Sequence, residues 1–207
     1  MAHAFTRKKA VLKVQPRVLV LCEDTKSCKN YLEDAARHFR SYAEIEIAHC
    51  GKTDPLGIVS KAVERRHAFD HVYCAIDRDK HENFDEAVQL ATEHPVEVTI
   101  IASYPCYEFW LYLHFEYARK PYAIKGNLSA GDCMVKDLCK IPDMAGYSNG
   151  GSKDVFEKFL PKLPDARKYA KRVMDAAIKE ADMNPSTRLH DLISIFEELG
   201  VPPVAKQ

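Results

Sequence analysis

Two aspartates one residue apart, Asp77 and Asp79, follow directly on the apolar run 72–76 in "HVYCAIDRDKHENFDEA". Carboxylates at the end of a buried strand, with a helical pattern just beyond, stand where ligands bind in α/β folds. Other acids occupy matching positions. Glu23 and Asp24 close the run "RVLVLC", and Glu108 follows the fourth such run, inside "PCYEFW". If the first, third and fourth strands are neighbours, Glu23, Asp77, Asp79 and Glu108 face one crevice. A cluster of acids is unfavourable unless a cation neutralises it or some members take up protons. Mg2+, or Mn2+ in its place, suits such a donor set: Mg2+ prefers oxygen, uses one or two protein carboxylates and keeps waters that a phosphate can displace. The structural alternative has Asp77 capping the next turn, Asp79 solvated and Glu108 capping a helix. Lys52, in "HCGKTDP" after the second strand, and His81 are candidate phosphate contacts, beside readings as a surface lysine and a solvated loop histidine.

The elements that must position these residues are legible from periodicity. "RVLVLCE" is a continuous apolar run rich in branched residues, as a buried parallel strand requires. In "DTKSCKNYLEDAARHFR", Tyr31, Leu32, Ala35, Ala36 and Phe39 recur at helical spacing, with Thr25 or Ser27 as N-cap. A half-exposed strand over 43–50 leads to a helix over 54–68, with an Asp54 cap and Pro55 in its first turn. The strand "HVYCAID", a helix over 83–94, a strand over 96–103 and a helix over 106–118 follow. Alternation with such short connections predicts an α/β fold, a parallel sheet with helices on its faces. Phe109, Trp110, Leu111, Tyr112, Leu113 and Phe115 make the 106–118 helix apolar on all sides, as a buried helix is and a base-stacking platform is not. The same face could also meet a partner, so an oligomer is possible.

After Pro121 the pattern changes. The stretch from Ala123 to Ser152 is loop-like, broken by Gly126, Gly131, Gly146 and "NGG" at 149–151. Helical patterns follow over 153–161, 165–182 and 186–199, the last after "NPST", where Ser186 or Thr187 caps the helix and Asn184-Pro185 breaks the chain before it. The predicted organisation is a basic N-terminal segment over 1–16, an α/β domain over 17–120, and a loop and helical part over 121–207 packed on the same domain. Arg66 and His71 match an R-x4-H spacing, but His71 opens a strand, so the match is read as chance.

The 207 residues carry zero formal net charge, unevenly distributed. Residues 1–17 hold five basic side chains and no acid, and residues 152–172 hold seven basic and three acidic. An acidic centre between basic segments suits a metal-dependent enzyme acting on a polyanion. Solvated helix faces account equally well for each segment alone. No apolar run approaches the ~20 residues of a membrane span. Seven cysteines without a C-x-x-C pair argue against a disulfide framework and a structural zinc, and for a cytoplasmic, reduced protein with Cys22 and Cys74 as buried hydrophobes.

Five segments taken in order, "VLVLCEDTKSCKNYLEDA", "HCGKTDPLGIV", "VYCAIDRDKHENFDEA", "ASYPCYEFWLYLHFE" and "NPSTRLHDL", resemble the RloB-like proteins of bacterial restriction and phage-defence loci. The resemblance spans about residues 17 to 195. These proteins are similar to Toprim domains, the catalytic module of topoisomerases, primases and overcoming-lysogenization-defect nucleases, which implies a Toprim-like (Rossmann-like) sheet. A Toprim site uses a glutamate after its first strand, matched by Glu23, and a D-x-D after its third, matched by Asp77 and Asp79. Glu108 matches the family's Pro-Cys-aromatic-Glu segment. Three departures are present: Asp24 replaces a common glycine, Cys28 an acid, and Tyr104 an asparagine. The resemblance implies Mg2+-dependent phosphodiester hydrolysis of nucleic acid, DNA or RNA including tRNA, in phage defence or abortive infection. Asp77, Asp79 and Glu23 would bind metal, Glu23 serving also as general base or acid, with Glu108 completing the site. The alternative is a regulatory subunit that holds a metal or nucleotide without cutting and works with a partner ATPase encoded nearby. Primase-like nucleotidyl transfer is a third reading and lacks an identifiable nucleotide-binding surface.

Overall fold

The computed structural model describes residues 15–39, 43–95, 97–148 and 154–200. The basic residues before Arg17, the "NGG" breaker and the "VPPVAKQ" tail lie outside them. Four short branched runs form β1 (Arg17–Cys22), β2 (Glu44–His49), β3 (His71–Asp77) and β4 (Val98–Tyr104). Each is followed by a helix: α1 (Ser27–His38), α2 (Pro55–Arg65), α3 (Phe84–Thr92) and α4 (Glu108–Tyr112). The chain continues through α5 (Ala130–Leu138), α6 (Val155–Phe159), α7 (Leu163–Glu180), β5 (Ser186–Thr187) and α8 (Leu189–Gly200). The sheet order is β2-β1-β3-β4-β5, with four parallel strands and β5 antiparallel to β4. This is a Rossmann-like α/β fold in which β1, β3 and β4 are adjacent.

Residues alternate across each strand, so β1 feeds two cores. Val18, Val20 and Cys22 join Tyr73, Ala75 and Ile101 against α1, α4 and the later helices. Leu19 and Leu21 join Val72, Cys74 and Ile76 against α2 and α3. The first core also takes Met134, Phe156, Ala170 and Phe196, so the C-terminal helices share it with the sheet. Cys22 and Cys74 are fully buried, as the apolar runs imply.

Three expectations about local structure are corrected. The helix expected over 106–118 is regular only through Glu108–Tyr112, although Phe109, Trp110 and Leu111 are buried as read. The stretch read as loop contains α5. Its start is fixed by a reciprocal capping box, with Ser129 Oγ accepting from the Asp132 N–H and Asp132 accepting from the Ser129 N–H. Glycines at 126 and 131 obscured that signal. Ser186 and Thr187 are a buried edge strand rather than the first residues of the last helix, paired with Tyr104 and Ser103. Thr187 still serves the helix, because its Oγ1 accepts the Leu189 N–H (3.2 Å).

Candidate active site

Parallel strands bring their C-terminal ends to one edge, and there the acids gather. Asp54 caps α2 as expected, accepting the Gly57 N–H (2.8 Å). At α1 neither Thr25 nor Ser27 provides the cap. Asp24 does, accepting from the backbone N–H of Lys26 and of Cys28 (both 2.9 Å). Asp24 therefore closes the β1–α1 turn and leaves Glu23 to face β3.

Glu23 is held from both sides. Its Oε2 accepts the Asp77 N–H (3.1 Å), and its Oε1 lies 2.8 Å from His81 Nε2. His81 therefore belongs to the site, not to bulk solvent. Burial raises the Glu23 carboxyl above the usual range, against the lowering effects of the Asp77 N–H and of His81. Asp77 lies well above the ordinary aspartate range, first through burial and then through the neighbouring charges of Glu23 and Glu108. Glu108 is buried, accepts the Tyr147 hydroxyl (3.1 Å), and is raised chiefly by burial. Burial is thus the first cause for all three acids, and at Asp77 the charges of Glu23 and Glu108 add to it.

The D-x-D turn is pinned by β4, since the Arg78 N–H donates to Ser103 O (2.9 Å) and the Asp79 N–H to Pro105 O (2.8 Å). Arg78 itself turns away, over the Phe84 ring and onto His81 O. Asp79 does not share Asp77's environment. Its Oδ2 accepts the Ser129 hydroxyl (3.0 Å) and its Oδ1 the Gly131 N–H (2.9 Å), both at the start of α5. A Cβ at position 131 would come within 2.9 Å of Asp79 Oδ2, so glycine is what allows this docking.

Glu23, Asp77, Asp79, His81 and Glu108 line a cleft of about 580 Å3, closed on one side by Gly131, Asp132 and Val135 of α5. Lys52 lies outside this lining, exposed beside Thr53, which borders the cleft. Ser129, Gly131 and Tyr147 were not identified from the sequence. The S-x-x-D capping pattern marked the first; nothing local marked the tyrosine. Among the described residues no group of three His, Cys, Asp or Glu side chains stands ready to hold a metal ion. The donor set nevertheless fits a hard cation: Glu23 and Asp77 are adjacent, all-oxygen and mutually destabilised, and Mg2+ needs only one or two carboxylates beside water. In this arrangement both Asp79 oxygens are already engaged by α5.

Fold and site together define a Rossmann-like α/β protein with an acidic cleft at the carboxyl edge of its parallel strands. The chain belongs to the RloB-like family, whose model ("RloB-like protein") matches residues 18–196. No curated protein and no solved structure matches the chain. No helix among the described residues is long and apolar enough to cross a membrane.

Proposed function

We propose that the protein hydrolyses phosphodiester bonds of nucleic acid with Mg2+ or Mn2+ in the Glu23–Asp77 cleft, as a cytoplasmic Toprim-type nuclease of phage defence. The observation that carries the reading is the meeting of Glu23, Asp77 and Glu108 in one cleft at adjoining ends of parallel strands. The likeness of the Glu23 and Asp77-Arg78-Asp79 segments to Toprim catalytic segments supports it. The metal, when bound, would polarise the scissile phosphate and stabilise charge on the leaving oxygen. Glu23 and Asp77 would hold it. Glu23 would alternatively take a proton from the attacking water at a carboxylate oxygen. His81 and the Asp77 N–H orient that carboxylate.

A second reading, a regulatory subunit that binds metal or nucleotide and works with a partner ATPase, is favoured by one observation. The Asp79 carboxylate is bound to Ser129 and Gly131, so a full ligand set would need α5 to release it. One experiment separates the two. Labelled DNA, RNA and bulk tRNA are incubated with the protein in Mg2+, Mn2+ or EDTA, beside Glu23→Gln and Asp77→Asn. Metal-dependent cleavage lost in both variants is expected. Metal binding without cleavage, lost in Asp77→Asn, would instead support the regulatory subunit.

A further inference from the structure

The acids line the floor of the cleft, and the loops above them carry lysines. Lys26 follows β1, Lys52 follows β2 and Lys80 follows β3, so three neighbouring strands each contribute one lysine at the same sheet edge. Lys26 and Lys80 line the cleft itself; Lys52 adjoins Thr53, which does. All three are exposed, and none is held in an ion pair among the described residues. Four other lysines pair with acids three or four residues away: Lys29 with Glu33, Lys61 with Glu64, Lys140 with Asp137 and Lys171 with Asp175. Asp24 and Asp54, half-buried beside the rim, accept backbone N–H groups of α1 and α2, while Lys52 acts on Asp54 and Lys80 on Asp132 through charge alone.

An acidic floor repels any polyanion, so a floor cation offsets that repulsion at one phosphate only. Neighbouring phosphates need positive charge at the rim. A free mononucleotide presents its charge at one end and has no use for three ammonium groups spread over three loops. A chain of phosphodiesters has a phosphate for each. We infer that Lys26, Lys52 and Lys80 form a phosphate rim that holds the backbone of a polynucleotide across the cleft. This deepens the nuclease reading and rests on it. Base identity plays no part, because lysine heads contact phosphate as point charges.

The test is equilibrium binding of fluorescent single-stranded DNA and RNA oligonucleotides to full-length Asp77→Asn protein in Mg2+, across a salt series. The rim variant adds Lys26→Gln, Lys52→Gln and Lys80→Gln. A control with the same loss of charge adds Lys61→Gln, Lys140→Gln and Lys171→Gln. Removing three phosphate contacts is expected to weaken binding at low salt by at least tenfold. It should also shallow the slope of log K against log salt by about 2, at ~0.7 for each contact on a single strand. The control should bind as its parent does. Equal losses in both variants, or an unchanged rim variant, would overturn the rim. If wild type still cleaves nucleic acid in either case, the nuclease reading survives without it. A parent protein that binds neither oligonucleotide better than inorganic phosphate overturns the rim, and cleavage by wild type decides the nuclease reading separately. Whichever of DNA and RNA binds tighter identifies the backbone used.

Discussion

At the residue scale the two aspartates of the D-x-D have different work. Asp77 sits among Glu23 and Glu108 and keeps its proton to higher pH than an ordinary aspartate, whereas Asp79 is bound by Ser129 and Gly131. A carboxyl raised in the folded state binds protons that the unfolded chain has already lost. It therefore contributes stability on the acid side, and loses it as pH rises through the folded value. Asp77→Asn removes that loss. In EDTA the variant should be more stable than wild type at pH 7.5, by about 1–2 kcal/mol as relief of a strained site provides, and the gap should close towards pH 5. Thermal melts at the two pH values check this; a gap that widens towards pH 5 would contradict it. His114 behaves oppositely. It is buried, with Nδ1 donating to Trp110 O (3.0 Å) and Nε2 facing the Tyr31 hydroxyl (3.2 Å), and burial lowers its pKa to about 4. A base lowered in the folded state gives up stability as pH falls from its unfolded value, about 6.5, through 4. An NMR titration of the imidazole should find the neutral Nδ1–H form at pH 6 and a midpoint near 4.

At the scale of elements, α5 and β5 are the parts that close the site. α5 meets the sheet edge through Asp79, and its own cap is the same Ser129 that donates to that carboxylate. Ser129→Ala should cost about 1 kcal/mol through the cap. Gly131→Ala should push Asp79 off the helix, because the new Cβ would lie within 2.9 Å of Oδ2. Hydrogen exchange in α5 should quicken in both variants, while β1 and β3 stay protected. β5 has a buried polar seam, with Ser103 Oγ 3.0 Å from Thr187 Oγ1. Thr187→Val leaves the Ser103 hydroxyl and the Leu189 N–H without that partner, and denaturant unfolding should read a loss of about 1–3 kcal/mol.

At the scale of the whole molecule, an acidic floor that is costly without metal predicts a strong linkage between cation and stability. Mg2+ at about a hundred times its dissociation constant stabilises the folded state by about 2.7 kcal/mol. For a chain of this size that is a rise in Tm of several degrees. The rise should vanish in Glu23→Gln and Asp77→Asn and persist when Lys26, Lys52 and Lys80 are changed to Gln with Asp77 left in place.

The strands and the flanking helices α1 to α3 were legible because burial on both faces writes itself into a short stretch as a continuous apolar run, and amphipathic packing writes a 3.6-residue period. The same locality put Glu23, Asp77 and Asp79 at strand ends, and Asp54-Pro55 at a helix start. What required tertiary structure was every relation between residues far apart in the chain. That β1, β3 and β4 are adjacent was a condition in the sequence and a fact only in the fold. That His81 meets Glu23, 58 residues away, follows from the β1–β3 pairing. That Asp79 spends its charge on Ser129 and Gly131, and that Ser186 and Thr187 pair as a strand with β4, depended on partners no local window contains. The sequence by itself determined which residues could carry a charge at the edge of a parallel sheet. Only the tertiary structure decided which of those charges face one another, because hydrogen bonds and Coulomb forces depend on distance in space, not along the chain.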